Sequence, residues 1–287
     1  LWQSSGLKPN GTWVYAPLWD TLRRRWATLV GAPTDKKPAM FRESRDASLS
    51  RKKPGLPGFP HADRPVADES GSPLDPVPIA YRSFDTQYVI PDDRVLATPR
   101  ADLWRVRGDH QTYITEQHAQ PLSPGGPALT FTAHTPDMDH FKGSAGGRVL
   151  PLYAGPNRSD PNLAPGLTTL LADRLGTAVT PEDVLAYIAA GTARPAFTAR
   201  FADDLRTPGI RVPITTDPDL WRRAVNLGGR VLWLHTRGRR FTDPVAGRPP
   251  GPPTVEDPAR RPLLVEPIPD GPGQLPDEIT YDVDTHT

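Results

Sequence analysis

The densest chemistry in the sequence is His134-x-x-Asp137-x-Asp139-His140, two imidazoles and two carboxylates within seven residues. Such a set can ligate a divalent cation, cap a turn or line a polar groove. It lacks the His-Glu-x-x-His spacing that puts two imidazoles on one helix face, so all three readings stay open. A second set is Tyr81-Arg82-Ser83-Phe84-Asp85-Thr86-Gln87-Tyr88, followed by Asp92, Asp93, Arg94 and Arg100. Arg pairs bidentately with guanine and Gln with adenine, while aromatic rings stack on bases or wedge between them. The bland alternative is an internal ion pair, Arg82 with Asp85, at a sheet edge.

Missing residues exclude other chemistry. The chain has no Cys, which removes disulfides, thiolate zinc sites, iron–sulfur clusters and a Cys nucleophile. Gly143-Ser144-Ala145-Gly146-Gly147 is Gly-rich but leads into no periodic helix, so it reads as a turn and not as a phosphate cradle. Pro91-Asp92-Asp93 and Pro136-Asp137 open like a metal-dependent nuclease motif, but no acid-x-Lys follows at a suitable offset. There is no Gly-x-Ser-x-Gly elbow and no Asn/Asp-Pro-Pro-aromatic signature of adenine methylation. No residue is therefore assigned a catalytic or metal-binding role, and no cofactor is assigned to this chain.

The elements that must position these residues follow from periodicity. A short strand is expected at 12–15 and a helix at 20–30, with Asp20 as N-cap and Leu22, Trp26 and Leu29 on its apolar face. Residues 33–78 are rich in Pro and Lys/Arg and predict little regular structure. Short strands are expected at 87–90, 94–97, 103–107, 112–115, 128–133 and 148–153. From 165 the pattern turns helical: 165–175 ending at Gly176, then Thr180-Pro181-Glu182-Asp183 as a helix start. Gly191 should break that helix. Pro195 opens another carrying Phe197, Phe201 and Leu205, and Asp217-Pro218 opens the last. Gly228-Gly229 inside that last helix marks either close packing or a break. The implied fold class is α+β: a short-stranded, mostly antiparallel β region, then a C-terminal helical bundle. Four regions are expected: a basic linker and helix (1–78), a β-rich recognition region (79–164), the bundle (165–241) and a Pro-rich acidic tail (242–287).

With 37 Pro and 24 Gly among 287 residues the chain is loop-rich, yet 7 Trp, 7 Tyr and 8 Phe can fill a core. Net charge is only +1, but it is unevenly spread. Residues 1–60 carry 11 Lys/Arg against 4 Asp/Glu, and residues 251–287 carry 2 Arg against 8 Asp/Glu. That asymmetry suits a polyanion bound near one end, or simply two solvated faces. No apolar run is long enough to span a bilayer and no signal peptide is visible, so a cytoplasmic protein is expected. A first residue that is Leu and not Met suggests a piece of a longer or processed chain.

Several segments resemble a known family. Ser5-Gly6-Leu7-Lys8-Pro9-Asn10 with Trp13-Val14-Tyr15 is similar to the stretch after the methyltransferase core of type ISP restriction–modification enzymes. Tyr81-Arg82-Ser83-Phe84-Asp85 resembles that family's Tyr-Arg-Pro-Phe-Asp element, with Ser83 where Pro is commoner. Val149-Leu150-Pro151-Leu152-Tyr153 is similar to its Phe/Leu-Pro-Leu-Tyr strand, and residues 180–213 to its closing helical block. The resemblance spans residues 3–240 and implies a C-terminal specificity domain that recognises double-stranded DNA without catalysing anything itself. An upstream methyltransferase module of the same polypeptide would methylate adenine N6 with S-adenosylmethionine. Phosphate contacts are then expected from residues 23–53, notably Arg23, Arg24, Arg45 and Lys52, and Arg148 is a further expected DNA contact. Base readout is expected from Arg82, Gln87, Arg94 and Arg100. The alternative is a module that docks the catalytic part and touches little DNA.

Overall fold

The computed structural model describes residues 2–9, 11–117, 127–140, 147–155, 158, 160–207 and 209–254, with 261 and 282. The Gly-rich turn at 143–146 and most of the acidic tail lie outside the described residues. In chain order the elements are β1 (Tyr15–Ala16), α1 (Trp19–Gly31), α2 (Lys37–Phe41), β2 (Val77–Arg82), β3 (Asp85–Val89) and α3 (Ala101–Arg105). There follow β4 (Tyr113–Gln117), β5 (Thr130–Thr132), β6 (Gly147–Pro151), α4 (Leu167–Leu175), α5 (Pro181–Thr192), α6 (Pro195–Arg200) and α7 (Pro218–His235). The class is α+β, with antiparallel strands first and the longest helix last.

The first sheet has the order β1-β3-β2, and α1 lays the expected face, Leu22, Trp26 and Leu29, into the core against it. The helix starts one residue early, with Leu18 as N-cap. Asp20 falls in its first turn, where a carboxylate also complements the positive helix end, and pairs with Arg24. Residues 1–78 are no separate linker. Leu7, Leu49, Leu56 and Val66 share one core with Ile79, Val89 and Trp104.

The second sheet has the order β5-β4-β6. The amino-terminal segment staples the two sheets together. Ser4 pairs with Val149, the Leu7 amide donates to the Pro136 carbonyl at 2.9 Å, and Lys8 pairs with Thr98. Gly6 is required there, because a Cβ would sit 2.3 Å from the Asp137 carbonyl carbon.

Two expected strands are absent. Residues 94–97 form a turn, because the Asp92 carboxylate accepts the Arg94 amide at 2.9 Å and closes an Asx-type loop. Residues 101–105 are the helix α3, burying Leu103 and Trp104; a run this short fits either period.

The helical half follows its sequence signals more closely. Thr180 and Asp183 form a reciprocal capping box at the start of α5, and Gly176 ends α4 at φ 64°. Gly191 does not break α5, which runs on to Thr192. The helix at 195 stops at Arg200, short of Leu205. α7 is unbroken across Gly228-Gly229, since a Cβ on Gly228 would lie 1.7 Å from the Ala186 carbonyl oxygen of α5. The chain after Phe241 is not an extended tail as far as it is described. It folds back on α7, where the Trp233 indole donates to the Pro249 carbonyl at 2.8 Å.

Candidate nucleic-acid interface

The β2–β3 hairpin closes through two residues, Ser83 and Phe84, with Arg82 opposite Asp85 and a bulge between Ala80 and Arg82. Two-residue turns need positive φ and favour Gly or Asn there. Phe84 nevertheless sits at φ 64° with 49% of its surface exposed. The turn is anchored: the Ser83 amide donates to the His140 carbonyl at 2.7 Å, and Phe84 packs edge-on against His235 with ring centres 4.9 Å apart.

α7 delivers its carboxyl end to the same place. Arg237 follows at φ 51° and its guanidinium donates to the Phe84 carbonyl at 2.7 Å. Gly238 turns the chain at φ 68°, and Arg240 clamps the Gly108 and Gln111 carbonyls, each at 2.9 Å. Arg239 and Arg107 are exposed. Among the described residues no carboxylate lies within 4.0 Å of Arg107, Arg237, Arg239 or Arg240. Among the described residues the guanidiniums of this face are thus not ion-paired, although Asp85 lines the same depression and the field of Asp109 reaches Arg240.

The two histidines of the His134–His140 constellation reach the depression beneath. His134, His140 and His235 line it together with Arg82, Phe84, Arg237 and Arg239. Burial first, then the field of Arg239, Arg240, Arg107 and Arg237, pushes the His134 pKa down to about 3. Burial lowers His140 and His235 to about 4, so all three imidazoles are neutral near pH 7. Asp137 accepts the Arg82 guanidinium at 2.6 Å and the Asp139 amide at 2.7 Å; burial outweighs both and lifts its pKa to about 6. His140 faces the Thr130 hydroxyl at 3.1 Å and the Ala80 carbonyl at 3.3 Å. Asp137 and His140 are aimed at separate partners, and among the described residues His134, Asp137 and His140 do not converge as metal ligands would; His134 and His140 line the groove instead.

The family model of the type ISP C-terminal specificity domain matches residues 1–286. The chain belongs to this family. Among solved structures this specificity domain is similar to the DrdV–DNA complex determined by cryo-EM, at 19% identity and TM-score 0.53 over 83% of this chain and 23% of that one. It is also similar to the ATP-dependent type ISP restriction–modification enzyme LlaBIII bound to DNA, at 12% identity and TM-score 0.52 over 82% of this chain and 16% of that one. At these identities the likeness is one of fold, and the chain spans less than a quarter of either protein. No curated protein gives a match.

The residues expected from sequence to contact DNA in this specificity domain are scattered. Arg23 pairs with Asp75, Arg24 with Asp20, Arg45 with Asp46 at 3.0 Å and Lys52 with Asp63 at 3.8 Å. Arg148 pairs with Glu116 at 3.4 Å, on the edge strand β6. Gln87 turns its amide to Asp85 at 3.1 Å. Arg100 caps α3 in a left-handed conformation and donates to the Ser5 hydroxyl. Arg94 is not a base reader: 2% exposed, it is held by Asp92 at 2.6 Å, Glu69 at 2.8 Å and the Arg64 carbonyl at 2.6 Å.

Asp92 and Asp93 also meet His61, whose Nε2 lies 2.7 Å from Asp93. This trio has a metal-site composition. Arg94 already occupies both Asp92 oxygens, and Asp93 takes the Gly55 amide at 3.1 Å, so the cluster is a buried charge network that pins the 55–69 loop. Of the expected base readers, only Arg82 borders the depression under the hairpin, and it does so paired with Asp137. Sequence reasoning missed Arg237, Arg239 and Arg240. Their signal was present as Arg-Gly-Arg-Arg at 237–240, directly after the amphipathic pattern of α7.

Proposed function

We propose that this chain recognises a specific double-stranded DNA sequence through the face built from the β2–β3 hairpin, the α7 carboxyl end and the 107–111 turn. The observation that carries this reading is a set of guanidiniums with no ion-pair partner among the described residues, Arg107, Arg237, Arg239 and Arg240, of which Arg237 and Arg239 share a depression with the exposed Phe84. Unpaired cations gain most from phosphates, because they release counterions without giving up a carboxylate. Family membership supports the same reading, as do two fold relatives solved with DNA.

On this reading the chain catalyses nothing alone. The adenine N6-methyltransferase module and its S-adenosylmethionine belong to the longer polypeptide, which flips and methylates the target base. The Arg face sets register and nearby polar side chains choose bases. The test is fluorescence anisotropy of the full chain on duplexes selected from a random pool. Arg237→Ala with Arg239→Ala should weaken binding to every duplex and flatten the salt dependence. A double variant that binds as the wild type does refutes the assignment of this face.

A second reading rests on a different surface. An apolar groove of about 660 Å³ between α5, α6 and α7 is rimmed by Arg194, Arg200 and Arg223. It suits docking of a neighbouring catalytic module. A docking chain would show little DNA affinity at any salt concentration.

A further inference from the structure

Phe84 is held where its backbone does not want it. A bulky side chain at φ 64° is disfavoured by steric clash with its own carbonyl, and Gly or Asn would occupy the turn without strain. Such strain persists only where surrounding structure enforces it, and it clusters at functional sites. Here one enforcing contact comes from beyond the end of α7. Arg237, itself left-handed at φ 51°, donates its guanidinium to the Phe84 carbonyl at 2.7 Å and so ties the tip to a distant element. The ring gains little by this arrangement in the free protein. One edge rests on His235, and 49% of the residue stays in water.

Among the described residues, the other exposed aromatic makes the contrast. Trp19 is 45% exposed but lies on regular helical backbone, with the Arg23 guanidinium 4.6 Å over its ring. Phe84 instead projects from an anchored two-residue turn, with Arg82, Arg237 and Arg239 bordering the depression below it. An exposed aromatic ring on a two-residue tip, above a depression lined by three guanidiniums, fits a duplex whose phosphates flank an opened base step.

We propose that Phe84 is a stacking wedge: it enters a base step of the bound duplex while Arg237 and Arg239 hold the adjoining phosphates. This rests on the DNA-recognition reading above and adds to it a residue that distorts the DNA. Stacking on a base is sequence-tolerant. What an inserted ring discriminates is deformability, so steps that unstack easily, such as TA and CA, are favoured at that position.

The test uses the full chain, a duplex selected from a random pool, and the same duplex with 2-aminopurine placed at each position in turn. Wild type should change the fluorescence at one step only. Phe84→Ala should abolish that change and weaken binding about tenfold or more, with an unchanged salt slope and an unchanged thermal midpoint. Phe84→Trp should keep both affinity and signal. Three results overturn the proposal: Phe84→Ala binding within about twofold of wild type, weaker binding with no fluorescent step in the wild type, or the same fluorescent step in Phe84→Ala. In all three the wild type still binds, so the DNA reading survives. A wild-type chain that binds no duplex removes both.

Discussion

Arg82 and Arg94 look alike in sequence, each an arginine with an aspartate close by, and only burial separates them. Arg94 lies inside a ring of Asp92, Glu69 and two backbone carbonyls, with His61 and Asp93 alongside. Removing it strands buried carboxylates, so Arg94→Ala should cost about 3–5 kcal/mol in urea unfolding. Arg45→Ala, at a fully exposed pair, should leave the midpoint where it was. Equal midpoints for the two variants would rule out the buried network. The neutral histidines make a second prediction. His134 is lowered to about 3, and His140 and His235 to about 4, so between their folded and unfolded pKa values only the unfolded chain binds these protons. Their contribution is intact above the unfolded value of about 6.5 and is lost as pH falls below it. Asp137, raised to about 6, works the other way, but it is one group against three. His61 is raised despite its burial, by the Ala62 carbonyl and by Asp93 and Asp92, so its contribution is intact below the unfolded value and is lost as pH rises through the higher folded one. The urea midpoint should therefore drop steadily from about pH 6.5 to about pH 4.5. A level or rising midpoint over that range contradicts the neutral assignment.

α5 and α7 cross at backbone contact, and two adjacent glycines in α7 play opposite parts there. Gly228 faces the Ala186 carbonyl, which a Cβ would approach to 1.7 Å. Gly229 has the flexible Arg248 guanidinium as its nearest neighbour, at 3.6 Å. Gly228→Ala should therefore destabilise by about 1–3 kcal/mol through overpacking. Gly229→Ala should be neutral or gain up to about 1 kcal/mol of helix propensity. Thermal unfolding of the pair checks this, and similar midpoints would mean the crossing is looser than described. The same elements show what sequence can reveal. Thr180-Pro-Glu-Asp and Asp217-Pro are local signals, since the cap, the first turn and the backbone donors they satisfy all lie within four residues. α5 and α7 were legible for that reason. The strand expected at 94–97 gave way to the local Asp92–Arg94 loop, and what local sequence could not show is that the Arg94 side chain is anchored by Glu69 and by the carbonyls of Ala62 and Arg64. The hairpin tip was legible as composition, but its meeting with α7 was not. Phe84 and Arg237 are 153 residues apart, and nothing local to either announces the other.

At the scale of the whole molecule, the basic stretch of the sequence and the cationic face of the fold are different places. Residues 1–60 hold the larger excess of Lys and Arg, yet Arg23, Arg24, Arg45 and Lys52 each fold beside a carboxylate. A guanidinium that must leave a carboxylate to reach a phosphate exchanges one anion for another and releases few counterions. Arg107, Arg237 and Arg239 have no such partner among the described residues, so each phosphate they meet displaces condensed cations from DNA. The two sets should separate in the salt dependence of binding. Replacing Arg239 by Ala should reduce the slope of log K against log salt by about one. Replacing Arg45 by Ala should leave that slope nearly unchanged, although both residues are exposed arginines of identical formal charge. Anisotropy titrations from about 50 to about 200 mM salt resolve a difference of that size. If Arg45→Ala flattens the slope as much as Arg239→Ala does, DNA lies along the amino-terminal stretch and the hairpin face is not where the duplex binds.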